Sequence, residues 1–130
     1  MAFQCVLVTP EKQLLDESIT QAIVPAHDGL VGILPHRAPL LVKLGTGPLR
    51  IDLPDTSRRY FFVDGGIAQM RSGRLTILTT EAIPAEEVDA EAARAEYAQA
   101  TASKAIDDKA FEQRQHRLER SRAMQNLARA

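Results

Sequence analysis

Residues 60–79 read Tyr60-Phe61-Phe62-Val63-Asp64-Gly65-Gly66-Ile67-Ala68-Gln69-Met70-Arg71-Ser72-Gly73-Arg74-Leu75-Thr76-Ile77-Leu78-Thr79. Short apolar runs rich in aromatic and β-branched residues alternate here with glycine-bearing turns, which is the pattern of strands joined by tight connections. The pairs of runs flanking Gly66 and Gly73 are expected to form hairpins. Successive side chains of a strand point to opposite faces, so alternation buries one face of each strand and exposes the other.

The same pattern extends toward the N-terminus. Leu49-Arg50-Ile51-Asp52-Leu53 alternates strictly and stops at Pro54-Asp55. Residues 40–44 stop at Gly45-Thr46-Gly47, residues 31–34 at Pro35, residues 19–24 at Pro25 and the turn pair Asp28-Gly29, and residues 3–8 at Pro10. Eight or more short strands in this span must close or stack to hide their edges, as a sandwich or a flattened barrel. Pro39, Pro48 and Pro54 fall at strand margins, where a missing N–H costs little. Gly32, ahead of a short strand, is expected to need a positive φ.

Toward the C-terminus the composition changes. Six of the seven prolines and all seven glycines precede residue 80, and neither type occurs after Pro84. This places a boundary at 82–84, with domains at 1–84 and 85–130. Glu86, Glu87 and Asp89 suit the first turn of a helix running from 85 to about 103, rich in alanine. Residues 101–108 hold a break, with Asp107 or Asp108 as the next N-cap, and a second helix follows over 109–127. Its apolar stripe is poor: at 100° per residue Phe111 and Leu118 lie within about 20° of each other, whereas Leu127 lies about 180° from Leu118 and Met124 falls off the Phe111 edge. Arg114, Arg117, Arg120 and Arg122 occupy much of the remaining surface, and His116 among them reads as exposed. Such a hairpin needs the sandwich or a partner surface to stay ordered.

Composition narrows the function. The chain has 130 residues, 45% hydrophobic and 25% charged, with one cysteine and a net charge of −1. These values describe an ordinary globular protein without a disulfide framework, and without the global positive field that binds nucleic acid. No run approaches the roughly 20 apolar residues of a membrane span, and residues 1–8 lack the basic start of a signal peptide. Charge is nevertheless segregated: net +1 over 1–80, −6 over 81–108 and +4 over 109–130. No phosphate-binding glycine loop, nucleophile elbow, zinc motif or CxxC occurs. His27, Asp28 and His36 are the only cluster resembling metal ligands, and their spacing matches no standard site. Cys5, inside an apolar strand, reads as buried and inert. The residues therefore favour binding or structure over catalysis, with no cofactor.

Several motifs together carry a resemblance. They are Val8-Thr9-Pro10-Glu11, the long stretch Val24-Pro25-Ala26-His27-Asp28-Gly29-Leu30-Val31-Gly32-Ile33-Leu34-Pro35-His36-Arg37-Ala38-Pro39-Leu40-Leu41, then Leu49-Arg50-Ile51, Phe62-Val63-Asp64-Gly65-Gly66-Ile67-Ala68, and Leu75-Thr76-Ile77-Leu78 with Ala82. In order and spacing, residues 3–90 resemble the epsilon subunit of the bacterial rotary ATP synthase. The resemblance implies an antiparallel β-sandwich of about ten strands followed by an antiparallel α-helical hairpin. It implies a non-catalytic rotor subunit of the central stalk, peripheral at the cytoplasmic face of the bacterial inner membrane. Its partners would be the gamma subunit and the c-subunit ring, met through Asp28, Gly29, Leu30, Val31, Gly32, His36 and Arg37, of which Leu30 and Val31 are expected to be exposed. The hairpin, when extended, would reach the alpha and beta subunits and restrain ATP hydrolysis, with Arg114, Arg117, Arg120 and Arg122 facing their acidic surface. Three positions depart from the family pattern: Leu30 replaces a polar residue, Arg37 replaces a histidine, and Ala92 stands where an ATP-binding arginine would be. The alternative reading is a free-standing β-sandwich adaptor that binds another protein through its helical hairpin.

Overall fold

The computed structural model describes residues 2–36 and 38–129. Ten strands precede the helices: β1 (Phe3–Val8), β2 (Gln13–Ile19), β3 (Gln21–Ala26), β4 (Gly29–Ile33), β5 (Leu40–Lys43), β6 (Thr46–Asp52), β7 (Arg58–Asp64), β8 (Ile67–Arg71), β9 (Arg74–Leu78) and β10 (Ala82–Pro84). They form two five-stranded sheets, β2-β1-β9-β8-β5 and β10-β7-β6-β3-β4. Among the described residues all strand pairings are antiparallel except β1 with β9. The two sheets stack as a sandwich, so the barrel alternative falls away.

Alternation builds the core. Leu49 and Ile51 point inward from β6, Ala68 and Met70 from β8, and Leu75 and Ile77 from β9, joined by Leu7, Ile19, Val24, Ile33 and Phe61. Cys5 is also fully buried there, and burial, with the nearby Asp16 charge, pushes its thiol up to about 12. A thiol held protonated in an apolar layer is inert.

Two strands lie outside the sequence reading. β2 is an edge strand burying only Leu15 and Ile19, and its polar Asp16, Glu17 and Ser18 hide the pattern while protecting the edge. β10 has three residues, too few to show a period. The expected hairpin at Gly73 forms between β8 and β9. The one expected at Gly66 does not: β7 and β8 belong to different sheets, and Gly65-Gly66 carries the chain between them. Leu44 N donates to Gly66 O at 2.9 Å, Gly65 N to Gly45 O at 3.0 Å, and Thr79 Oγ1 to Gly65 O at 2.7 Å, so this crossing is tied from both sides.

The helical part begins with a short 3-10 turn (Ala85–Glu87), then α1 (Ala90–Ala102) and α2 (Asp108–Arg129). The first helix thus starts later than its acidic residues suggest. Val88 is extended and packs near Phe62, and Asp89 starts the helix anew by accepting from Glu91 N at 3.0 Å and Ala92 N at 3.1 Å. Asp107 caps α2, accepting from Ala110 N at 2.7 Å. α1 packs chiefly on α2, and α2 lies across β6 and β7.

Gly66 has φ +112, and a Cβ there would sit 2.0 Å from Leu78 O, whereas Gly73 (φ +73) has open space around it. Gly66→Ala should therefore cost about 3 kcal/mol or more, and Gly73→Ala about 1–2 kcal/mol, in denaturant unfolding. Equal losses would show that the sheet crossing is not the tight point.

Candidate functional site

Three surfaces gather the candidate residues. The first is the hairpin of β3 and β4. His27 and Asp28 form its turn, and Gly29 opens β4 with φ +139. Leu30 pairs with Pro25 and is 67% exposed. Val31, expected to be exposed, is half-buried and packs on the core. Gly32 pairs with Ile23 in extended backbone and lies outside the left-handed region. A Cβ there would meet only Gln21 Nε2 at 4.0 Å, so the expected positive φ is absent. What reads as a glycine- and proline-shaped loop is largely a strand, because β3 offers it a complete ladder. That strand also separates the histidines. His36, with φ 63, lies beyond the far end of β4, roughly 17 Å of strand from the Asp28 turn. The His27, Asp28 and His36 cluster therefore does not assemble, and among the described residues no group of three His, Cys, Asp or Glu side chains is placed to hold a metal. Arg37 lies outside the described residues.

The second surface is the contact of α2 with the sandwich. The buried stripe of α2 is not the Phe111–Leu118 edge, since Phe111 is half-exposed. Met124 and Leu127 are buried instead, against Phe62 of β7, with Tyr60, Ile83, Ala85, Val88, Ala93 and Ala123 around them. Helical geometry puts Met124 and Leu127 on one side of the helix, about 60° apart, and the sheet selects that side. Small buried side chains, Ala93 and Ala100 of α1 and Ser121 of α2, allow close helix packing.

Polar groups close this contact. Arg120 stands 5.5 Å over the Phe62 ring, with Nη1 3.3 Å from Asp64 Oδ2 and Nη2 2.6 Å from Glu81 Oε1. The Glu81 contact is an ion pair without hydrogen-bond alignment, and this Oε1 is buried. His116, read as merely exposed, lies with Nε2 2.9 Å from Asp64 Oδ1, and Thr46 Oγ1 donates to the same oxygen at 2.7 Å. Burial pushes the Asp64 carboxyl upward, but these hydrogen bonds and the neighbouring charges outweigh it and hold the group below its ordinary value. Burial likewise works against the Arg120 charge, and Glu81, Glu96 and Asp64 together overcome it. The other three arginines also find acceptors within the hairpin. Arg114 Nη2 donates to Thr101 O at 3.2 Å, Arg117 lies 4.0 Å from Glu96, and Arg122 donates to the Tyr97 hydroxyl at 3.0 Å. At the start of α1, Ala92 is exposed and Arg94 pairs with Glu91.

The third surface escaped the sequence reading. The outer face of the β2-β1-β9-β8-β5 sheet carries Leu78 opposite both Val8 and Ile67, with Leu41, 66% exposed, beside Gln69 on the same face. These apolar side chains occupy positions where alternation calls for polar ones, and that was the available signal. Exposed apolar side chains gathered on one sheet face make that face a candidate for docking.

The ATP synthase delta/epsilon chain beta-sandwich domain matches residues 2–85. The chain belongs to this family. The epsilon chain of the ATP synthase of Rhodopirellula baltica is 41% identical over 86 residues, 66% of each protein. That of Granulibacter bethesdensis is 36% identical over 81 residues, 62% of this chain and 60% of that one. That of Chlorobium limicola is 39% identical over 82 residues, 63% of this chain and 92% of that one. The match thus spans just under two thirds of the length of the first two relatives. In solved structures, a chain of the Euglena gracilis mitochondrial ATP synthase, determined by cryo-EM as an OSCP/F1/c-ring assembly, superposes with a TM-score of 0.87 at 23% identity, covering 96% of this chain and 80% of that one. A chain of the Tetrahymena thermophila central stalk and c-ring gives 0.70 at 17% identity, covering 96% and 95%. At these identities the two structures establish the shared fold, hairpin included. Within the family, the sandwich is the part matched in sequence, and α2 is the part seen only through structure.

A pH dependence follows from Asp64. A carboxyl held low in the folded chain contributes stability above its unfolded value of 3.8, and that contribution disappears as pH falls through the lower folded value. The stability gap between the wild type and Asp64→Asn should be full at pH 6–7 and shrink below about pH 4 in urea titrations. A gap independent of pH would show that the charge of Asp64 is not what fastens α2.

Proposed function

We propose that this chain is the non-catalytic epsilon-type rotor subunit of a proton-translocating ATP synthase, peripheral at the cytoplasmic face of a bacterial inner membrane. Residues 1–84 join the gamma subunit and the c-subunit ring, and residues 85–130 form a hairpin that restrains ATP hydrolysis when it reaches the alpha and beta subunits. Family membership supports the setting. The observation that carries the role is the set of exposed apolar side chains Leu41, Ile67 and Leu78 on one outer sheet face, with half-buried Val8 beside Leu78. A rotor part must transmit torque through a fixed joint, and a rigid sheet face with apolar side chains offers one. The hairpin between β3 and β4, with Leu30 exposed at its tip, gives a second contact suited to the ring, alongside Asp28, Gly29, Gly32 and His36.

Regulation is supported by the modest attachment of the helices. Two large apolar side chains of α2 and one ionic cluster hold it to the sandwich. An element with so few contacts has low local stability and suits a switch. The adaptor reading predicts a different partner and no association with gamma.

Ile67→Asp with Leu78→Asp should weaken capture by the gamma subunit at least about tenfold, with an unchanged sandwich fold, because each buries a charge in an apolar joint. Unchanged capture by gamma would favour the adaptor reading. Replacing Arg114, Arg117 and Arg122 by Ala leaves the Arg120 cluster in place and should raise hydrolysis by the assembled synthase. Exposed contacts worth 0–1 kcal/mol each shift the hairpin by about 1–2 kcal/mol together, on the order of tenfold in population. Hydrolysis rates and salt dependence equal to wild type would exclude an electrostatic brake on this helix.

A further inference from the structure

The geometry points to an ionic latch: Asp64 and Glu81 of the sandwich hold Arg120 and His116 of α2, standing in for the acidic partner surface these cations otherwise seek. The two carboxylates come from separate segments, the end of β7 and the connection between β9 and β10, and one guanidinium bridges them. Asp64 is itself fixed, since Thr46 Oγ1 donates to its carboxylate and Thr80 Oγ1 to its main-chain oxygen, next to the Gly65-Gly66 crossing. Asp64 is therefore a fixed acceptor for the cations of α2. Glu81 Oε1 is covered in the docked arrangement with Arg120 as its cation, while the Glu81 side chain as a whole is 36% exposed.

Three further arginines of α2 point to the same competition. Arg114 and Arg122 each end on a neutral acceptor in α1 and Arg117 lies 4.0 Å from Glu96, so the docked hairpin gives these arginines partners of its own. Glu81 and Glu96 come from the stretch 81–108, net −6, and meet arginines of the stretch 109–130, net +4. An acidic surface that binds α2 must displace these intrachain acceptors, Asp64 and Glu81 first. The use of the latch rests on the regulatory reading above, but the latch can be tested on the isolated chain with no synthase subunit present.

Spin labels on Ser18→Cys and Gln99→Cys, both at exposed positions, report the separation of sandwich and hairpin, and binding of poly-L-glutamate reports the availability of α2. In Asp64→Asn/Glu81→Gln the docked-to-undocked ratio should fall about tenfold and polyglutamate should bind about tenfold more tightly. Glu11→Gln/Glu17→Gln removes the same charge from exposed positions outside the latch and should leave the label distances unchanged, with about a twofold gain in binding. Arg120→Met should open the hairpin without the gain. Protection of Cys5 from thiol reagents monitors the sandwich fold, and if the double carboxylate variant loses it, Arg120→Met carries the distance comparison alone. Label distances unchanged in the folded variants, or equal binding gains in the latch and control variants, would overturn the proposal.

Discussion

The architecture depends on β7 being buried on both faces. Phe61 and Val63 point into the sandwich, while Tyr60, Phe62 and Asp64 point out beneath the helices. A strand with one wet face alternates, whereas a strand covered on both sides carries a continuous apolar run. Tyr60-Phe61-Phe62-Val63 is such a run, and it joins the two parts of the molecule: remove the helices and Phe62 faces water, remove the sandwich and the helices have no floor.

The same strand ends in the constraint that shapes the polar contact. At Asp64 the chain must leave one sheet for the other, and Gly66 passes so near Leu78 O that no side chain fits. The sandwich therefore presents the Asp64 carboxylate from a rigid corner, and α2 meets it with His116 and Arg120. A fixed Asp64 carboxylate facing a lightly attached helix suits a contact that forms and releases as the helix docks and departs. This physical basis supports reading the hairpin as a regulatory element, and it needs no catalytic chemistry within the chain.

The outer sheet face and the helix contact divide the proposed work. Val8, Leu41, Ile67 and Leu78 lie on the outer face of one sheet, and the hairpin occupies the outer face of the other. A joint on the first sheet leaves the second free to exchange its helices. In the proposed role the apolar joint and the switching hairpin therefore fall on opposite faces of one core.

Alternation in residues 49–53 and 67–78, the turn at Gly73 and the loss of glycine and proline after Pro84 determined a sandwich followed by helices, because periodicity and backbone freedom are local properties. The long motif of residues 24–41 carried the family. Tertiary structure alone decided the rest. Gly66 looks like a hairpin turn but crosses between sheets, since nothing local records which strands pair. Gly32 lies in an ordinary extended strand because β3 pairs with it. Leu127 and Met124, not Phe111, became the buried edge of α2, because a helix with several weak stripes takes the one its floor can accept. The partners of Arg120 are 39 and 56 residues away in sequence, and only the fold brings such charges within ion-pair distance.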